Sequence, residues 1–336
     1  MKKILLVALA AAAMVGCSQN EEIENAGQKA EIGFNTAVSN TTRADVTNLD
    51  VLKKPGIGFT VYAYNTGEKK MATAAFGDMN SFIDGKKVEF TTPDWILDNG
   101  TAYYWPTTGY IQFFAYGNPG AATFTYGAPK DGSKYPSFSY TIADVDGQTD
   151  LVVAKVIDTN KAENGASGVN LVFNHALTQV NFTIKAGDNN IYKLKKLSIS
   201  GVNNTATYSY DLGWEAATGA SSSVSYEYVP TGGEEEVTES GLVKDLKWML
   251  MPQTLPATGA AIKVEYNIYD GSDNLIASVT DAAVDLNGTT DWVAGKKIRY
   301  TLTLTNKAEK VTVSASSVSE WSAIDDNTES FPKTEK

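Results

Sequence analysis

The 336 residues carry 28 Lys and Arg against 39 Asp and Glu, a formal charge of −11 that a phosphate backbone repels, so no nucleic-acid partner is expected. One cysteine and one histidine exclude a disulfide framework or a thiolate metal centre, and leave no Ser/His/Asp or Cys/His constellation unless Lys or carboxylates stand in. Neither a phosphate loop nor Gly-x-Gly-x-x-Gly is present, so no cofactor, no metal and no catalysis are expected.

In chain order, Lys2 and Lys3 precede an apolar run from Ile4 to Val15. That is the n-region and h-region of a secretory signal over residues 1–16, because a membrane-spanning helix needs ~20 apolar residues. The run ends at Met14-Val15-Gly16-Cys17. A thiol just after a small residue at this point resembles the lipid acceptor of bacterial lipoproteins, so Cys17 is the expected lipidation site, carrying diacylglycerol and palmitate. The polar, acidic stretch Ser18 to Glu22 then reads as a tether at the outer membrane.

Beyond the tether, apolar residues alternate with period two and almost nowhere with the 3.6 period of a helix. Ile32, Phe34, Thr36 and Val38 alternate with Gly33, Asn35 and Ala37, and a small polar stretch around Arg43 and Ala44 follows. Strands are predicted over 58–64, 110–116, 138–142, 151–156, 169–185, 194–199 and 206–212. The clearest alternations are Ile262, Val264, Tyr266, Ile268 and Ile298, Tyr300, Leu302, Leu304. Asp84-Gly85, Asn99-Gly100, Asp131-Gly132, Asp146-Gly147, Asp270-Gly271 and Asn287-Gly288 supply turns between them. Asp144, Asp146 and Asp150 read as part of such a turn, and His175, inside a strand, reads as packing. The polar segment 158–168 suggests a boundary between an N-terminal sandwich, 44–168, and a C-terminal one, 169–336; residues 216–241 read as an acidic loop in the second. At the end, Val311, Val313 and Ala315 line one strand face, and Val318 and Trp321 follow out of phase, which calls for a bulge near Ser316.

Several of these segments together resemble the fimbrillin-like proteins, subunits of the type V pili of Bacteroidota. The resemblance rests on Tyr104-Trp105-Pro106, residues 111–116 (IQFFAY), 149–154 (TDLVVA), 171–180 (LVFNHALTQV), 249–255 (MLMPQTL), 292–304 (WVAGKKIRYTLTL) and 311–321 (VTVSASSVSEW). Ala294 departs from the family's usual proline, while Gly295 and Lys296 are kept.

The resemblance implies an all-β fold of two transthyretin-like β-sandwich domains and a non-enzymatic fimbrial subunit that supports cell adhesion. It also implies export as an outer-membrane lipoprotein and a cut between Arg43 and Ala44 by an Arg-specific protease. That cut removes residues 17–43 with the strand of Ile32, Phe34 and Val38, and a neighbouring subunit donates its last strand, through Val311, Val313, Val318 and Trp321, to form a cell-surface fimbria. Partners would then be other fimbrial subunits and a host glycan or protein. Residues alone favour a permanent first strand at 32–38, and fit equally a last strand, 311–321, kept by its own domain. They also fit a second function, a surface lipoprotein that binds glycans on exposed members of its 17 tyrosines and 6 tryptophans.

Overall fold

The structure is a computed structural model in which residues 29–39, 47–215, 224–238, 240–255, 259–286 and 291–306 are described, with the backbone alone at 281 and 312–320. Among these residues the strands are β1 (Phe34–Val38), β2 (Phe59–Asn65), β3 (Asn80–Thr91), β4 (Asp94–Leu97), β5 (Ile111–Gly117), β6 (Thr123–Gly127) and β7 (Ser137–Thr141). They continue as β8 (Val152–Thr159), β9 (Val169–His175), β10 (Thr178–Ala186), β11 (Ile191–Ser200), β12 (Thr205–Ser209), β13 (Gly213–Trp214) and β14 (Ser225–Tyr228). Then come β15 (Glu235–Val237), β16 (Leu242–Leu250), β17 (Ala261–Tyr269), β18 (Leu275–Asp285), β19 (Lys296–Leu304) and β20 (Thr312–Glu320). The all-β expectation holds.

Period-two patterning explains most of these strands. In β9, Val169, Leu171, Phe173 and His175 point inward and the residues between them outward; in β19, Ile298, Tyr300, Leu302 and Leu304 do the same. One expected element, 169–185, proves to be two strands in different sheets. The inward set is odd-numbered through His175 and even-numbered from Thr178, and Ala176-Leu177, both buried, absorb the slip. Asp84-Gly85 is a bulge inside β3 rather than a hairpin turn, and residues 216–241 contribute the short strands β14 and β15, which pair with β11.

A seven-stranded sheet runs β1-β9-β8-β5-β2-β3-β4 and a four-stranded sheet runs β13-β12-β7-β6. The second tier is a sandwich of β16-β10-β19-β20 with β14-β11-β17-β18. Because β8 and β9 pair with each other, the first sheet continues through the segment where the sequence suggests a boundary. The chain also returns: β12, between β11 and β14 in sequence, leaves the second tier and pairs with β7 of the first. Tyr210, at the tip of this arm, is 3% exposed and donates its hydroxyl to Ala115 O at 2.8 Å, while Lys155 Nζ holds Tyr210 O at 2.5 Å and Trp214 Nε1 holds Ala176 O at 2.5 Å.

The seven-stranded sheet is apolar on both faces. Tyr64, Phe114 and Val153 look toward Phe138, Tyr140 and Tyr210 in a core continuous with that of the second tier. On the other face Phe59, Val61, Phe113, Leu171 and Phe173 form a separate core with Ile32 and Phe34. β1 lies over this second core.

Candidate functional site

The N-terminal segment is held at two places. Residues 34–38 pair in parallel with 169–173 of β9, from Phe34 opposite Val169 to Val38 opposite Phe173. Just upstream, Ile32 N donates to Tyr103 O at 2.7 Å and Trp105 N to Ala30 O at 2.9 Å, so residues 30–32 bridge to the segment after β4. One segment thus adds a strand to the edge at β9 and touches the chain that follows β4. Gly168 permits the close approach: at φ +75°, a Cβ there would lie 3.0 Å from Gly33 O.

The buried face of the segment is the one the alternation marks. Ile32 is 3% and Phe34 6% exposed, and Phe34 meets Phe59 and Phe113 edge-on, each at 5.8 Å between ring centres. Removing these two side chains from water is worth ~3–6 kcal/mol before ordering costs. Val38 packs at the margin of the same core. On the outer face Asn35 Nδ2 reaches Ser167 O at 2.6 Å and Asn170 Oδ1 at 3.0 Å. Without this strand, β9 would present an unpaired backbone edge above an apolar floor.

The chain leaves the groove at Ser39, whose N–H donates to Phe173 O at 2.7 Å and whose hydroxyl lies 2.7 Å from Asn174 Oδ1. It is fixed again at Thr47. Thr47 N donates to Asp150 Oδ2 at 2.9 Å, its hydroxyl to Asp150 O at 2.5 Å, and Asn118 Nδ2 donates to that hydroxyl at 2.7 Å. Asp150 Oδ2 also lies 2.7 Å from His175 Nδ1, with both side chains 2% exposed. Burial pushes the Asp150 carboxyl up from its usual range, against the opposing hydrogen bonds from His175 and the Thr47 amide. Asn48 then caps a short helix, α1 (Leu49–Leu52), through a 2.8 Å bond from Val51 N, and Leu52 is buried in the second core. Asp150 is thus not part of the 144–147 turn, and His175 is packed through a polar contact that sequence alone does not display.

At the other end of the chain, β20 pairs antiparallel with β19 as the terminal strand of its sheet, Val318 opposite Ile298 and Val313 opposite Leu302. The register slips by one residue between Arg299–Ser317 and Thr301–Ser314, which places the bulge at the expected Ser316 region. In β19 the Arg299 guanidinium donates to Phe182 O at 2.8 Å and to Asp245. The turn at Ala294-Gly295 forms with Ala in place of Pro, closed by Lys296 N to Val293 O at 3.2 Å. Cys17, Arg43, Ala44, Val311 and Trp321 lie outside the described residues, as do the side chains of Val313 and Val318.

Among the described residues, no group of three or more His, Cys, Asp or Glu is placed to hold a metal ion. Phe76 and Tyr104, each 42% exposed, are the large aromatics on the described surface; the other described rings are buried or half-buried, so the broad aromatic platform a glycan binder needs is not displayed there.

Fold and groove together define an all-β protein of stacked sandwiches whose first sheet ends in its own N-terminal strand. Comparison with known proteins narrows the class. The sequence profile of the fimbrillin-like family matches residues 42–321, and the chain belongs to that family. It is similar to fimbrium subunit Fim1C of Phocaeicola vulgatus, 25% identical with 93% of this chain and 94% of that protein covered. Its fold is similar to a crystal structure of a fimbrial protein from Bacteroides vulgatus, with a TM-score of 0.68, 20% identity, and 87% of this chain and 99% of that one covered. The family is one of structural fimbrial subunits rather than enzymes, which places the chain among the subunits of cell-surface fimbriae.

Proposed function

We propose that this chain is the precursor of a fimbrial subunit that polymerises by donor-strand exchange and supports cell adhesion. It is exported as a lipoprotein acylated on Cys17 and held at the outer membrane. An Arg-specific protease cuts between Arg43 and Ala44, the 27-residue fragment 17–43 departs with β1, and the last strand of another subunit, through Val311, Val313, Val318 and Trp321, enters the groove. Strand addition satisfies the backbone edge of β9 and covers its apolar floor, and head-to-tail repetition produces an open filament.

The observation that carries this reading is that β1 pairs with β9 over an apolar floor, with residues 30–32 bonded just upstream to residues 103–105, while the chain from Thr47 onward is fixed by contacts of its own. Arginine usage supports it. Of the two arginines in the sequence, Arg299 sits within β19, which is bonded to a strand on either side, so an Arg-specific cut is expected at Arg43. The family match also begins at residue 42, leaving the proposed departing strand outside it. As a terminal strand, β20 is bonded on one side, to β19.

The test is to treat the mature polypeptide with an Arg-specific protease and to image cells that express Arg43→Ala. SDS-resistant ladders from the wild type and bare cells from the variant are expected. A clipped but stable monomer, or fibres on Arg43→Ala cells, would overturn the proposal, and the monomer outcome would revive a glycan-binding role.

A further inference from the structure

The two fixed points around the proposed cut lie at one end of one strand. Ser39 is bonded to Phe173 and Asn174, and Thr47 is bonded through Asp150 to His175, the next residue along β9. Asp150 does this with unusual economy: Oδ2 receives the Thr47 amide and contacts His175, while its carbonyl receives the Thr47 hydroxyl. A carboxyl so buried is held in place by the groups it satisfies, because losing any of them leaves a desolvated polar atom unmatched. Thr47 is itself 1% exposed.

Resting on the proposed cleavage, we infer that Asp150 is a positioning residue for strand exchange: with His175 it anchors the start of the mature chain, so that residues from Thr47 onward do not follow the departing strand. The anchor has a second effect. The residues that follow the cut, Ala44-Asp45-Val46-Thr47-Asn48, begin with the same small-apolar and polar alternation that suits a strand beside β9. A free end of this kind would compete intramolecularly for the vacated edge, at an effective concentration that a strand from another subunit cannot match. Holding Thr47 behind His175 keeps the new terminus out of the groove. It also keeps α1 and Leu52 against the floor that the incoming strand must cover.

The experiment compares hydrogen exchange of peptides covering residues 44–52 before and after clipping of the full mature chain, in wild type, Asp150→Asn, Asp150→Ala and Thr47→Val. Wild-type protection at Thr47–Leu52 is expected to survive the cut. In Asp150→Ala it is expected to fall at least tenfold after the cut, with protection in β17 and β19 unchanged and uptake of a synthetic peptide of residues 311–321 slowed by a similar factor. Asp150→Asn, which retains an acceptor for the Thr47 amide, should lie between them. If the Asp150 variants fail to fold, Thr47→Val removes the hydroxyl alone and should lose protection only in the clipped chain. Equal protection in clipped wild type and in every folded variant overturns the anchor. Protection lost on Asp150 substitution in a clipped protein that never takes up a strand leaves the anchor standing and sinks the exchange reading.

Discussion

Replacing Phe34 by Ala tests what holds the N-terminal strand in place. Its ring lies between Phe59 and Phe113 and is 6% exposed, so the substitution opens a cavity in the second core. Phe-to-Ala changes in cores cost ~3–5 kcal/mol, and a strand that can settle into the gap falls at the lower end, ~3 kcal/mol. At 1.4 kcal/mol per tenfold, that is roughly a 100-fold loss of affinity, expressed mainly in the dissociation rate. The assay follows a labelled peptide of residues 29–39 leaving clipped protein, in wild-type, Phe34→Ala and Asn35→Ala forms. Asn35 contributes two exposed hydrogen bonds on the outer face, at 2.6 and 3.0 Å, and its loss should cost ~1 kcal/mol, or about fivefold. If Phe34→Ala dissociates no faster than Asn35→Ala, apolar burial is not what seats the strand, and the groove argument fails.

Three further outcomes are expected. Gly201→Ala should lose more than ~2 kcal/mol and several degrees of melting temperature, since Gly201 has φ +72° and a Cβ there would stand 1.8 Å from Gly259 O; Gly213→Ala, with φ +82° but open space, should cost about 1 kcal/mol. Burial raises the phenols of Tyr62, Tyr126, Tyr140, Tyr210 and Tyr226 and pushes Tyr208 up to about 12. The stability linked to these neutral phenols is complete below pH ~10, where the unfolded chain also stays protonated, and is lost as pH rises above it. Phenolate absorbance should therefore appear late and coincide with loss of circular dichroism; full titration of all 17 tyrosines in folded protein would refute this. Cys17→Ala should abolish incorporation of labelled palmitate and leave the precursor uncleaved at its signal peptide; a labelled variant would show that the acyl acceptor lies elsewhere.

Much of the architecture is legible in the sequence because half-buried strands write their facing in alternate residues. β17, β19 and the Ile32–Val38 segment follow this pattern directly. The change of sheet at Ala176-Leu177 is written there too, as a slip from odd to even phase, but two consecutive apolar residues hide it within a longer run. What cannot be read is pairing between distant strands. Nothing local in β12 signals β7 as its partner, and nothing in β1 signals that β9 lies alongside in the same direction. The Thr47–Asp150–His175 cluster is hidden for a related reason: its members are 103 and 25 residues apart, and Asp150 is one of 39 acids, distinguished only by where the fold buries it.

The parallel seating of β1 also sets an order for folding. Asn35 and its partner Asn170 are 135 residues apart, the widest separation of any described strand ladder. Loop closure over that length costs the most entropy, so this ladder is expected to form after those between nearer strands.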